Sequence, residues 1–229
     1  MFKKFLYLEW KSFLRSASFA TNLALKILIG FLVIYFMIIF LALGVGAYFI
    51  LKEMNLEPLA TVNQFLIYYF ILDLIIRLMM QKIPVLNIRP LLTLPFKKPT
   101  IVHFSLGKTA LSFFNTVHAF FFIPFSIVLL IEGYDVLGVI CWHIAILCLV
   151  YINNFINIIL NNKDNLFGIF LGVVAVLAGS QYYQLFDITQ FTAPFFQGLY
   201  DIKGLVLLPI LILVALYYAT FNFFKSNLY

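Results

Sequence analysis

VLGVICWHIAILCLVYINNFINIILNN, residues 136–162, is a run of 27 residues without one formal charge, closed by Asp135 on one side and Lys163 on the other. An α-helix crosses the roughly 30 Å of a bilayer core with about 20 apolar residues, so this stretch reads as a transmembrane helix. Four other uncharged gaps have the right length. They are 27–51 (25 residues), 109–131 (23), 165–186 (22) and 204–224 (21). A sixth run, TVNQFLIYYFILDLIIRLMMQ at 61–81, carries Asp73 and Arg77. These two lie four apart, share one helix face and are placed to pair, which lowers the cost of holding charge in the membrane.

Composition agrees. The 229 residues are 64% hydrophobic and 10% charged, with a mean hydropathy of +1.06, whereas a typical soluble domain is about 25% charged. A water-soluble fold of this length still exposes roughly a quarter to a third of its unfolded surface, so a cytosolic enzyme, a nucleic-acid binder and a disordered chain are all excluded. The expected fold is an all-α membrane protein. Its six transmembrane helices lie at about 27–51, 62–82, 106–131, 136–158, 165–186 and 204–224.

The net charge of +6 is an orientation signal. With the N-terminus inside, Lys3, Lys4, Lys11, Arg15, Lys26, Lys82, Arg89, Lys97, Lys98, Lys108, Lys163 and Lys225 fall on the inner side, and only Lys52 and Lys203 outside. Glu53, Glu57, Glu132, Asp135, Asp187 and Asp201 all fall outside. This positive-inside bias places both termini in the cytoplasm. The first 20 residues, MFKKFLYLEWKSFLRSASFA, carry Glu9, Lys11 and Arg15 where a signal peptide has its apolar region. Phe2, Phe5, Leu6, Trp10, Phe13 and Leu14 recur at helical spacing, which predicts an amphipathic helix in the inner interface. The 13 residues 188–200, ITQFTAPFFQGLY, are too few to cross. They form either a re-entrant or interfacial segment or an ordinary outer loop.

The inner loop at 83–105 is unusually apolar. Leu91, Leu92, Leu94 and Phe96 stand among Arg89, Lys97 and Lys98, with Pro84, Pro90, Pro95 and Pro99 punctuating the stretch. Pro90 suits the first turn of a short helix. Such residues either dock another protein or dip into the membrane interface.

With the amphipathic start and the six spans, the loop RPLLTLPFKKPTIVHFSLGK resembles that of an ABC-2-type exporter permease. The family's pattern of Leu-Pro, then basic residues, then Ile-Val is matched by Leu94-Pro95, Lys97-Lys98 and Ile101-Val102. The layout also resembles one half of large uncharacterised bacterial permease-like proteins of roughly doubled length. The resemblance implies a multi-pass subunit of the bacterial inner membrane that dimerises and pairs with two P-loop ATPase subunits. It implies ATPase coupling at Arg89, Pro90, Leu91, Leu92, Leu94, Pro95, Phe96, Lys97 and Lys98. ATP and Mg would act only through the partner, and the chain itself would be no enzyme. It departs from the family pattern in that FNFFKSNLY follows span six directly. A non-transporting scaffold or assembly protein and a secondary carrier share the topology and stand as alternatives.

Other motifs carry less. Gly107-Lys108-Thr109 has Val102 where a phosphate-binding loop needs its first glycine. His118 and His143 lie about 20 Å and about 10 Å from the outer ends of their helices at 1.5 Å per residue, which favours interhelical hydrogen bonds over a shared haem or metal. Cys141 and Cys148 form neither a disulfide framework nor a metal pattern. Asn153, Asn154, Asn157, Asn161 and Asn162 read as a helix end emerging into headgroups, with bonding to a neighbouring span as the other reading. Gly168, Gly172 and Gly179 read as a helix-packing face within the subunit, with Gly44 and Gly46 doing likewise in span one. Pro124 is expected to kink span three.

Overall fold

The computed structural model describes Tyr7, Lys11 and residues 23–81, 97–161 and 164–227. Among them every regular element is helical. The segment 1–20, expected to form the amphipathic helix, lies outside the described residues apart from Tyr7 and Lys11. So do residues 82–96.

Helix α1 spans Leu23–Glu53 and α2 spans Pro58–Met80. Glu57 caps α2 by accepting from the Ala60 amide, and Pro58 occupies the first turn, where its missing N–H costs nothing. The third expected span is discontinuous. Its parts are α3 (Lys98–Ala110), α4 (Phe113–Thr116) and α5 (Ala119–Ile131). Two boundaries are corrected here. Residues 98–105 belong to a helix rather than to a loop, with Ile101, Val102 and Phe104 buried. The chain breaks at Leu111–Ser112, whereas α5 runs on through Pro124.

Helix α6 spans Val136–Leu160, capped by the Asp135 carboxylate, which accepts from the Gly138 amide at 2.9 Å. Helix α7 spans Asp164–Tyr182, and α8 spans Thr189–Asp201, so 188–200 is an amphipathic helix rather than an irregular loop. A 3₁₀ turn at Lys203–Val206 leads into α9, Leu207–Asn227.

Among the described residues, five stretches are long and apolar enough to cross a membrane: Gly30–Glu53, Pro58–Met80, Phe113–Ile131, Val136–Leu160 and Lys203–Ser226. The described apolar part of α7, Gly168–Tyr182, is shorter. The protein is thus an all-helical, multi-pass membrane protein.

The core gathers around α6. Trp142, Ala145, Ile146 and Val150 meet Leu59, Leu66 and Phe70 of α2, Phe122, Phe125 and Leu129 of α5, and Phe196 and Leu199 of α8. A second cluster joins Val102 and Leu106 of α3, Phe155 and Ile158 of α6, and Phe224 of α9. Two glycines permit close crossings. A Cβ on Gly44 would run into the Phe121 carbonyl, and one on Gly138 would lie 2.7 Å from the Tyr200 ring. Around Gly46, Gly168, Gly172 and Gly179 the expected packing is absent. No neighbour among the described residues lies within 4 Å of a Cβ built on the last three, and Gly46 meets only the Ile50 methyl at 3.8 Å. In α7 the reason is that this helix stands off the bundle, so its glycine face meets no other helix among the described residues.

Candidate functional site: a buried charge cluster at a helix break

The break at Leu111–Ser112 leaves backbone groups inside the protein that no helix satisfies. Irregular backbone at membrane depth is tolerated only where protein or water meets its hydrogen-bonding needs. Here side chains of α2 and of α4 itself meet them. The Asn115 amide donates to the Thr109 carbonyl at 2.8 Å, and Arg77 Nη2 donates to the Phe114 carbonyl at 2.7 Å.

Arg77 is fully buried, and all of its N–H groups are engaged. Nε donates to Asp73 at 2.9 and 2.8 Å. Nη1 donates to Asn115 Oδ1 at 2.8 Å and to Gln81 Oε1 at 3.2 Å. Nη2 reaches His118 Nε2 at 3.1 Å as well as the Phe114 carbonyl. A guanidinium offers five donors in a fixed fork, and this cage matches them. The expected proximity of Asp73 and Arg77 is present, as a 2.8 Å ion pair.

Asp73 holds more than its helix partner. Its carboxylate also accepts from Asn153 Nδ2 at 2.9 Å, and His118 Nε2 stands 3.1 Å from Oδ1. His118 Nε2 therefore lies at 3.1 Å from both an acceptor and a donor. One ring nitrogen donates or accepts, not both at once. The other ring nitrogen, Nδ1, shares a hydrogen bond with the Tyr69 hydroxyl, so the phenol turns to suit the tautomer.

The asparagines are the correction that matters most. Asn153, Asn154 and Asn157 are buried rather than emerging into headgroups. Asn153 donates to the Phe70 carbonyl as well as to Asp73, and Asn154 accepts from Gln81 at 2.8 Å and donates to the Thr109 hydroxyl at 3.1 Å. Asn161 bonds Asn157 at 3.1 Å; Asn162 lies outside the described residues. One network thus ties α2, the α3–α4 break and α6 together. Sequence reasoning found the Asp73–Arg77 pair and missed Gln81, Asn115 and His118 as its partners, and Thr109 as a further member of the network. The available signal was the recurrence of amides and hydroxyls at one depth of three spans.

His143 bonds Ser126 at 2.8 Å, an interhelical contact remote from His118. His103 shares a hydrogen bond with Tyr217 and stacks on Phe221 at 4.4 Å. No group of three metal-ligating side chains occurs among the described residues. Of the nine residues expected to couple to an ATPase, Lys97 and Lys98 stand exposed at the start of α3. Arg89, Pro90, Leu91, Leu92, Leu94, Pro95 and Phe96 lie outside the described residues.

A second polar set closes the acidic end of the bundle. Lys52 pairs with Glu132 at 2.7 Å, and Lys203 with Asp135 at 2.7 Å. Tyr134 donates to Glu57 at 2.6 Å. The hydrogen bond from Lys52 holds the Glu132 carboxyl below the usual carboxylate range, and Lys203 does the same for Asp135.

Neither a curated protein nor a solved structure matches the chain. A family profile does, over residues 9–229. The chain belongs to that family, DUF5687, a family of unknown function.

Proposed function

We propose that the chain is the permease subunit of an ATP-driven ABC exporter of the bacterial inner membrane. In this reading it has six spans with both termini inside, and it acts as a dimer with two P-loop ATPase subunits that bind the ATP and Mg. The observation that carries it is the position of the buried cluster. The loop 82–96 leaves α2 directly after Gln81 and enters α3 at Lys98. Gln81 is bonded to Arg77 and Asn154, while Thr109 and Asn115 of the same network sit at the far end of α3. One flank of the loop, Gln81, is therefore bonded to α6, and the helix that follows the other flank packs on α6 through Val102 and Leu106 and is bonded to it at Thr109. A load applied to Arg89–Lys98 by an ATPase would move α2, α3 and α6 together instead of being absorbed by a flexible hinge.

The test is purification in a mild detergent followed by mass spectrometry. Recovery of a stoichiometric P-loop ATPase supports the exporter; recovery of other membrane proteins alone favours a scaffold. Leu91→Asp and Phe96→Asp should leave the protein inserted at normal abundance and abolish capture of the ATPase. Normal capture in both variants would remove the docking role. A secondary carrier is the second reading, and the contact of His118 with Asp73 favours it. It requires ionophores to stop transport while ATP depletion at a fixed gradient does not.

A further inference from the structure

Because α7 stands away from α2, a cavity of about 360 Å³ opens between them, within the roughly 300–1,000 Å³ range of small-molecule sites. Its walls are Tyr68 and Ile71 of α2 with Val174, Leu177 and Ala178 of α7. Gln181 closes it toward the acidic end and also lines the next pocket, about 420 Å³, with Gln184, Asp187 and Gln190. The two cavities differ in chemistry. The first is walled almost wholly by carbon, whereas the second presents amides and one carboxylate.

Asp187 accepts from the Thr189 hydroxyl at 2.7 Å, the Thr189 amide at 2.9 Å and Gln181 Nε2 at 3.1 Å. These bonds hold its carboxyl below the usual range, Thr189 contributing most. Among the described residues, no basic side chain lines either cavity. Gln184 and Gln190 are exposed, and their side-chain amides make no hydrogen bond among the described residues.

We infer that this paired groove binds an amphiphile, with an alkyl tail in the α2–α7 cavity and an uncharged polyhydroxy head, as in a glycolipid, on the amides around Gln184 and Gln190. The order of the two chambers matches a lipid lying along α7, because the polar pocket sits beyond the last turn of that helix. A phosphate head would face the Asp187 carboxylate with no cation among the described lining residues to balance it. Free amides, by contrast, both donate to and accept from hydroxyls. The inference deepens the exporter reading by naming its substrate class, and it rests on that reading for the direction and energy source of movement alone.

The test places the protein in phosphatidylcholine nanodiscs doped with a glucosyl diacylglycerol whose tail carries a diazirine. After photolysis, label should concentrate on peptides from 68–71 and 174–190, and unlabelled glucosyl diacylglycerol should displace it while phosphatidylglycerol does not. Ala178→Trp and, independently, Ile71→Trp fill the tail cavity and should each weaken labelling about tenfold, the consequence of ~1.4 kcal/mol of lost affinity. Even labelling over the exposed apolar face of α1, equal competition by phosphatidylglycerol, or undiminished labelling in both folded variants would overturn the site. Such a failure leaves ATPase capture untouched. Saturable labelling of a protein that captures no ATPase would keep the site and remove the exporter.

Discussion

At the scale of single residues, Arg77 decides how the polar interior is held. It is buried, carries a fixed charge, and stands against Asp73, the one acid in the interior rather than at the end of a described span. Removing one member of a buried ion pair leaves the other uncompensated, at a cost of about 3–5 kcal/mol, whereas replacing both with apolar groups is often near neutral. Arg77→Met should therefore destabilise the folded protein by that amount, and Asp73→Leu by a similar amount. The double variant should lose far less than their sum, because the penalties share one cause. Thermal unfolding of the four proteins in one detergent measures the cycle. Additive losses would show that the two charges act independently. The pair was legible in sequence because four-residue spacing fixes a shared helix face. Its cage was not, since Asn115, His118 and Asn153 reach Arg77 or Asp73 from 38 to 80 residues away. Hydropathy averages such amides into the apolar run around them.

Elements meet at close crossings and at clamped ends. Helix α1 approaches α5 through Gly44, and a methyl there would strike the backbone of Phe121, which cannot swing aside as a side chain does. Gly44→Ala should cost about 1–3 kcal/mol, the usual range for overpacking. Gly46→Ala, two residues on and meeting only the Ile50 methyl at an ordinary 3.8 Å, should shift stability by no more than about 0.5 kcal/mol. Equal effects in a thermal-shift comparison would refute the crossing. The glycines of α7 fit the small-residue motif as well as Gly44 does. A motif reports what a helix permits, and whether a partner arrives depends on the whole bundle.

At the other clamp, the two lysines that break the inner-side bias, Lys52 and Lys203, each find a carboxylate on a neighbouring element. Hydrogen bonds from Lys52 and Tyr48 depress the Glu132 carboxyl. The folded state thus binds that proton less well than the unfolded chain does. The stabilisation is complete above the ordinary value of about 4.3 and disappears as the pH falls through the lower folded value. Wild type should melt above Glu132→Gln at pH 7, and the gap should close on acidification. A gap that persists at pH 3 would assign the difference to packing.

For the molecule as a whole, most of the layout could be read from where charge is absent. The positions of α1, α2, α6 and α9 follow from apolar length, because a buried or lipid-facing helix tolerates few charges over about 20 residues. The broken third span was hidden for the same reason, since its polar side chains are uncharged and its break is mended by groups on other helices. The distribution of lysine and arginine makes a stronger statement than any single span does. It predicts that residues 54–57, 132–135 and 183–188 share one side of the membrane, and that Lys97 lies on the other. Cys141 and Cys148 are free thiols, one half-buried and one buried, so both can be replaced before single cysteines are introduced at Asn55, Gly133, Gln184 and Lys97. A membrane-impermeant maleimide added to intact cells should label the first three and spare the fourth, which should react only after permeabilisation. Labelling at Lys97 in intact cells would invert the orientation. The loop 82–96 would then face away from every cytoplasmic ATPase, and the exporter reading would fall with it, whatever the buried cluster does.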